Sequence, residues 1–375
     1  MGSMITLGID KFEIDWGKNE FFRNHSQLFS ESDKKDIPYY YADNIVNNQP
    51  GFSRKLKDVK RRLELLGYTL SGIRKMYEEI MEEVPGYYDE SPPDFDLFAT
   101  VITNVDVKQA TLDEDWDGHD FGEYVVNHVF ASPSFHKNAK ELKSITKEGG
   151  MFFENLDPYI VLRLLMENPS NLELDLRWAF FDVVEGGYVD EDAIYEGVDE
   201  KNQYLIVTEG SSDLFIIKQA LELYAPDIVD FFYFVDMDEN YPFTGTGNLY
   251  RFCQGLSSIK IQNKILVIFD NDTAGKENYD KSIDLSLPSN MKITQLPYMQ
   301  EFDNFLCIGP NGQSRENING RAIAIENFLD LNYRMPREPS SRWLSYNKKL
   351  SAYHGALENK DKYVRLFNKA RRDFT

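Results

Sequence analysis

Residues 204–213 read YLIVTEGSSD, and residues 264–275 read KILVIFDNDTAG. Each is a short apolar run that stops on carboxylates: Glu209 and Asp213 in the first, Asp270 and Asp272 in the second. A continuously apolar run of this length predicts a strand buried on both faces of a parallel sheet. Ligands of such sheets bind in the crevice beyond the carboxyl ends of the strands, so the acids are expected to meet there. Crowded carboxylates repel one another unless a cation neutralises them. The hard cation that takes oxygen ligands and keeps waters for phosphate chemistry is magnesium.

Working outward, the chain around these runs alternates strand and helix. Strands are predicted over 203–208, 231–235, 264–269 and 291–296, with helices over 212–223 and 248–256, a β-α-β-α-β series that argues for a parallel sheet with packed crossovers. The preceding half is of another kind. Residues 5–16 alternate as a strand or hairpin, and Val59, Leu63, Leu66, Ile73, Met76 and Ile80 recur at helical spacing, split into two helices near Gly67. A strand is expected over 98–107 and helices over 158–166 and 172–184. The expected organisation is an α+β domain over residues 4–200, an α/β domain over 201–310 and a C-terminal extension over 311–375 packed on it.

Charge follows the same division. The net charge of −21 comes almost wholly from residues 1–200, with 20 Lys and Arg against 40 Asp and Glu, whereas 201–375 hold 21 against 22. From Leu331 onward there are 11 basic and 4 acidic residues. That basic tail suits phosphates, or is simply a solvated helix face. Cys253 and Cys307 form no framework or C-x-x-C pair, as expected of reduced cytosolic thiols. No apolar stretch approaches a membrane span and no signal-peptide pattern opens the chain, so a cytoplasmic location without a membrane partner is expected.

EGSSD followed by FDNDTAG resembles the Toprim domain, the magnesium-binding module of topoisomerases, bacterial primases, ribosomal-RNA maturases and nucleases of the overcoming-lysogenization-defect type. The resemblance covers roughly residues 201–310 and implies a Rossmann-like fold, with the family's glutamate on Glu209 and its DxD pair on Asp270 and Asp272. The retained acid at Asp213 and the extended C-terminus are most similar to the nucleases. That subgroup also uses a later acid, for which Glu301 in QEFDNFL and Glu326 in AIENFL are candidates, and a late lysine, for which Lys360 in LENKDKY is one. The resemblance implies a metal-dependent phosphodiesterase acting on nucleic acid, DNA before RNA, with magnesium or manganese as the cofactor. Glu209 would also act as general base when it holds no metal.

ITLGIDKFEIDWGKNEFFRNHSQLF, PYYYADNIV and FSRKLKDVKRRLELLGYTL in the first half resemble the domain that precedes HEPN ribonuclease or Toprim modules in bacterial conflict systems. This implies anti-phage defence and room for a protein partner from the same operon, such as an ATPase, and for a homo-oligomer. The competing reading is a non-catalytic Toprim module that binds nucleic acid or a partner protein.

Other chemistries fail on spacing. Arg23-Asn24-His25 is too tight for the Arg-x4-6-His of a HEPN ribonuclease, and no G-x-x-x-x-G-K-[ST] is present, so any ATPase is a separate polypeptide. The acidic cluster at 113–120 lacks the bidentate glutamate of an EF-hand, and the histidines lack zinc spacing. Asp236 and Asp238, at the end of the intervening strand, are candidates for holding a second metal or for a plain loop pair.

Overall fold

The computed structural model describes residues 6–15, 23–41, 46–83, 93–112, 118–130, 152–235, 246–259 and 261–372. The chain divides into two compact units, Met1–Asp199 and Glu200–Thr375. Among the described residues no helix is long and apolar enough to cross a membrane.

The first unit is α+β. Strands β1 (Thr6–Ile9), β2 (Phe12–Asp15), β3 (Lys34–Tyr40), β4 (Val46–Lys55) and β5 (Asp175–Ala179) form one sheet in the order β2-β1-β5-β4-β3, antiparallel throughout. Its longer helices are α1 (Leu56–Leu66), α2 (Leu70–Glu83), α3 (Phe95–Thr103) and α4 (Pro158–Leu165). Of the strand or hairpin expected over 5–16, the structure forms the hairpin β1–β2. The split between α1 and α2 falls at Gly67, whose φ of 106° ends α1 as Tyr68 N–H donates back to Leu63 O at 2.9 Å.

Two expectations in this unit are corrected. Residues 98–107 are mainly helix rather than strand: Asp94 caps α3 by accepting from Leu97 N–H at 2.8 Å, and Phe95, Phe98, Val101 and Ile102 then fall on one buried face. Residues 172–184 are not one helix, because 175–179 pair between β1 and β4 at the centre of the sheet and a short helix, Phe181–Glu185, follows. Trp178, fully buried on β5, packs its ring 5.5 Å from Phe52 and 6.1 Å from Phe29. The pairing and burial available there override helical preference.

The second unit is α/β. Strands β6 (Tyr204–Val207), β7 (Phe232–Val235), β8 (Lys264–Phe269) and β10 (Met291–Gln295) form a wholly parallel sheet in the order β10-β8-β6-β7. Helices α5 (Ser211–Tyr224), α6 (Thr246–Ser258) and α7 (Thr273–Ile283) accompany it. The apolar run of β8 serves two cores. Ile265, Val267 and Phe269 pack with Leu249, Cys253 and Leu256 of α6, while Ile268 packs into the core containing Ile216, Phe302 and Cys307.

The chain beyond β10 adds a second, mixed sheet. Strands β11 (Phe305–Gly309), β12 (Gly312–Glu316), β14 (Ser340–Asn347) and β15 (Ala352–Leu357) run in the order β12-β11-β14-β15, and helix α8 (Lys360–Arg372) follows. Two very short strands, β9 (Asn271–Asp272) and β13 (Ala322–Ile323), pair antiparallel and tie the later chain to the end of β8.

Candidate active site

The order of the parallel sheet creates a divide between β6 and β8. From β6 the chain moves outward to β7, then returns past β6 to β8 and continues the other way to β10. Connections leaving β6 and β8 therefore diverge, and the crevice at such a switch point is where open α/β sheets bind ligands. Glu209 follows β6, and Asp270 and Asp272 follow β8.

Each acid has a local reason for its place. The backbone N–H of Asp270 donates to Glu209 Oε1 at 3.1 Å, which joins the two strand ends directly. Asp213 lies in the first turn of α5, where its Oδ2 accepts from Gly210 N–H at 3.1 Å. Asp272 caps α7, its Oδ1 accepting from Gly275 N–H at 2.7 Å. The helix-cap reading and the site reading are thus compatible, since each carboxylate has a second oxygen. Gly275 is required by proximity: a Cβ there would stand 2.2 Å from Asp270 O. Gly210, by contrast, adopts an extended φ of −150° open to any residue.

Pairing of β13 with β9 sets Ala322 opposite Asp272 and carries the following 3-10 helix, Ile325–Phe328, toward the acids. Glu326 on that helix is buried, and its Oε2 has no hydrogen bond. Lys360, the first residue of α8, brings its Nζ to 3.4 Å from that oxygen. Asn359, with φ of 63°, turns the chain into the helix at this point. His354 on β15, which lacked any motif in the sequence, shares a 2.8 Å hydrogen bond between its Nδ1 and Thr273 Oγ1 and lies 3.8 Å from Asp272 Oδ2.

The electrostatics are those of an anionic cluster. Burial raises the Asp270 carboxyl well above the ordinary carboxylate range, and the charges of Asp213, Glu209 and Asp272 add to this against the opposing Lys360. Asp213 is pushed up to about 6 by burial and by Glu326, with the Gly210 hydrogen bond and Lys360 opposing. Burial alone would weaken the Lys360 ammonium, but Glu326, Asp270 and Asp213 outweigh it and hold that group above its usual value.

Glu209, Asp213, Asp270, Asp272, Glu326 and Lys360 are thereby linked in one network. Glu301 is not part of it. It is exposed in the 3-10 helix Gln300–Asn304, and among the described residues no hydrogen bond or ion pair joins it to the group. Asp236 and Asp238 lie outside the described residues. So do Asp113–Asp117 of the acidic cluster, whose Asp120 caps the short helix Phe121–Tyr124 through Glu123 N–H at 3.0 Å.

Among the described residues no three His, Cys, Asp or Glu side chains are arranged to chelate an ion by themselves. Magnesium asks for less, because it keeps several waters and is held by one or two carboxylates together with substrate phosphates. The donor set suits it: hard oxygens only, on carboxyls raised by burial and by one another's charge.

Residues 1–202 match the family model HEPN/Toprim N-terminal domain 1, in agreement with the resemblance of the first half. No curated protein and no solved structure matches the chain.

Proposed function

The chain belongs to the HEPN/Toprim N-terminal domain 1 family, and we propose that its second half is a Toprim-type, magnesium-dependent nuclease acting in bacterial anti-phage defence. The observation that carries this is the burial of Asp270 against Glu209, Asp213 and Asp272 at the sheet's switch point, with Lys360 as the counter-charge. Clustered acids with raised pKa values in a ligand crevice mark a site kept for a cation and its substrate.

One or two of Glu209, Asp270 and Asp272 would hold magnesium together with water and substrate phosphate, with Asp213 orienting it and Glu326 neutralised by Lys360. Bound there, the ion supplies the charge that lowers the pKa of a water and steadies the leaving oxygen of a phosphodiester. The chain's own groups do the rest. Lys360 stays protonated and faces charge that grows on the phosphate oxygens. Glu209, where it is not a ligand, accepts the proton of the attacking water. Asp272 is fixed by its cap bond to Gly275, so its second oxygen has a defined position.

The competing binder uses the same acids for affinity alone. Incubating the purified chain with plasmid, single-stranded DNA and tRNA, in magnesium or manganese and in EDTA, separates the two. Metal-dependent products are expected; retention of nucleic acid without products would favour the binder.

A further inference from the structure

One face of the β14–β15 hairpin is built unlike a core. Tyr346 and Tyr353 stand opposite each other across the two strands, their rings 5.1 Å apart at 72°. They are 52% and 41% exposed. Trp343 extends the row, its ring 6.1 Å from Tyr353. Trp343 itself is held down: it lies on Gly355, where a Cβ would come within 2.7 Å of its ring, and the Arg321 guanidinium is 4.1 Å from its centroid. The two tyrosines are left to solvent on a sheet whose packing does not need them there.

The strands and turn of this hairpin, residues 339–357, hold Arg342, Lys348 and Lys349 and no Asp or Glu. Arg342 is paired at 2.6 Å with Glu358, directly after β15, which leaves the two lysines of the turn as the cations near the tyrosines. Lys348 is exposed at the turn, and no ion pair engages it among the described residues. Side chains alternate along a strand, so His354 occupies the other face of β15 from Tyr353. There it bonds Thr273 beside Asp272, and Asn347 and Lys349 reach Glu277 of α7 at 3.4 and 3.2 Å. The hairpin is thus fastened to the segment that carries two of the site's acids.

We propose that the Tyr346–Tyr353 face is a stacking platform for single-stranded nucleic acid, presenting unpaired strand to the neighbouring acids; the inference rests on the nuclease reading of that site. Unpaired bases offer π-faces that a duplex keeps covered, and exposed aromatic rings with nearby cations bind them with little regard to sequence. Phosphates answer the turn lysines, Lys348 first. A basic protein partner would be repelled by this face and would suit the acidic first half of the chain.

The test is anisotropy of a fluorescein-labelled oligothymidylate with the full chain in EDTA, where no cleavage intervenes. Tyr346→Ala and Tyr353→Ala should each weaken binding about tenfold, while Tyr→Phe at either position retains it, since stacking needs the ring and not the hydroxyl. Both rings are exposed, so thermal melts of the variants serve to show an intact fold. Failure of the wild type to bind, alanine variants that bind as well as wild type, or equally tight and equally tyrosine-dependent binding of a blunt duplex would overturn the platform. Cleavage by Glu209→Ala is scored separately: its persistence would remove the site assignment without altering the tyrosine contrast, whereas its loss beside unaffected tyrosine variants would remove the platform alone.

Discussion

The two units bury charge in opposite ways. In the first, Arg62 is fully buried and donates its Nε to Gln27 O at 2.9 Å and Nη2 to Phe29 O at 2.8 Å. Arg163 is tied to Glu64 at 2.8 Å and to Glu167. Buried His25 shares a 2.8 Å hydrogen bond with Tyr159 and lies 3.3 Å from Asp15, burial holding its pKa below the ordinary value. In the second unit five carboxyls converge with Lys360 as their cation, and the surplus is negative. Glu13, raised to about 7 by burial and Asp120 against the opposing Arg177, is the nearest parallel in the first unit, but it stands without such a cluster. Satisfied buried polar groups fix a core; a concentrated, unneutralised set is retained where a ligand brings the missing charge.

The contrast breaks first at Asp270. Asp270→Asn keeps the side-chain shape and should lower metal-dependent cleavage by about a thousandfold, roughly 4 kcal/mol of barrier, with an unchanged circular-dichroism spectrum. Arg62→Met tests the other half. It removes the guanidinium donor from Gln27 O and leaves Phe29 O with the 3.4 Å bond from Tyr195, and should destabilise the protein by about 2 kcal/mol in urea unfolding, without changing cleavage by the fraction that remains folded.

The next effect is the pH dependence that Asp213 contributes. Asp213 rises from 3.8 to about 6, so the native state binds more protons than the unfolded one and stability falls as pH rises through that window. Ionised Asp213 then costs up to about 3 kcal/mol above pH 6. Metal-free Asp213→Asn should therefore melt above the wild type at pH 8 and with it at pH 4, and added magnesium should narrow the gap at pH 8. Identical pH profiles for variant and wild type would remove the electrostatic account. Glu301→Ala, outside the cluster, should change stability and cleavage little, within about 0.5 kcal/mol.

The strand ends were legible because the apolar runs at 204–207 and 265–269, buried or half-buried along their length in the parallel sheet, are followed closely by acids. Glu326 and Lys360 were reachable only through resemblance. What brings them in is a two-residue pairing of β9 with β13 and a positive φ at Asn359, neither of which leaves a periodic trace. Their choice over Glu301 needed the tertiary fold. His354 carried no signal, because a lone histidine on a strand has none until the strand packs. Residues 98–107 mislead because their β-branched run suits a strand, although Asp94 and the spacing of Phe95, Phe98, Val101 and Ile102 indicate a capped helix. Residues 172–184 mislead for a different reason, since only the neighbours β1 and β4 make β5 a strand.

The central claim, that the clustered acids at the ends of β6 and β8 cut nucleic acid with a metal, is tested most directly by one gel assay. Wild type and Asp270→Asn are incubated with plasmid and single-stranded DNA in magnesium and in EDTA. The account predicts products from the wild type in magnesium alone and none from Asp270→Asn; equal products from both proteins, or cleavage that persists in EDTA, would contradict it.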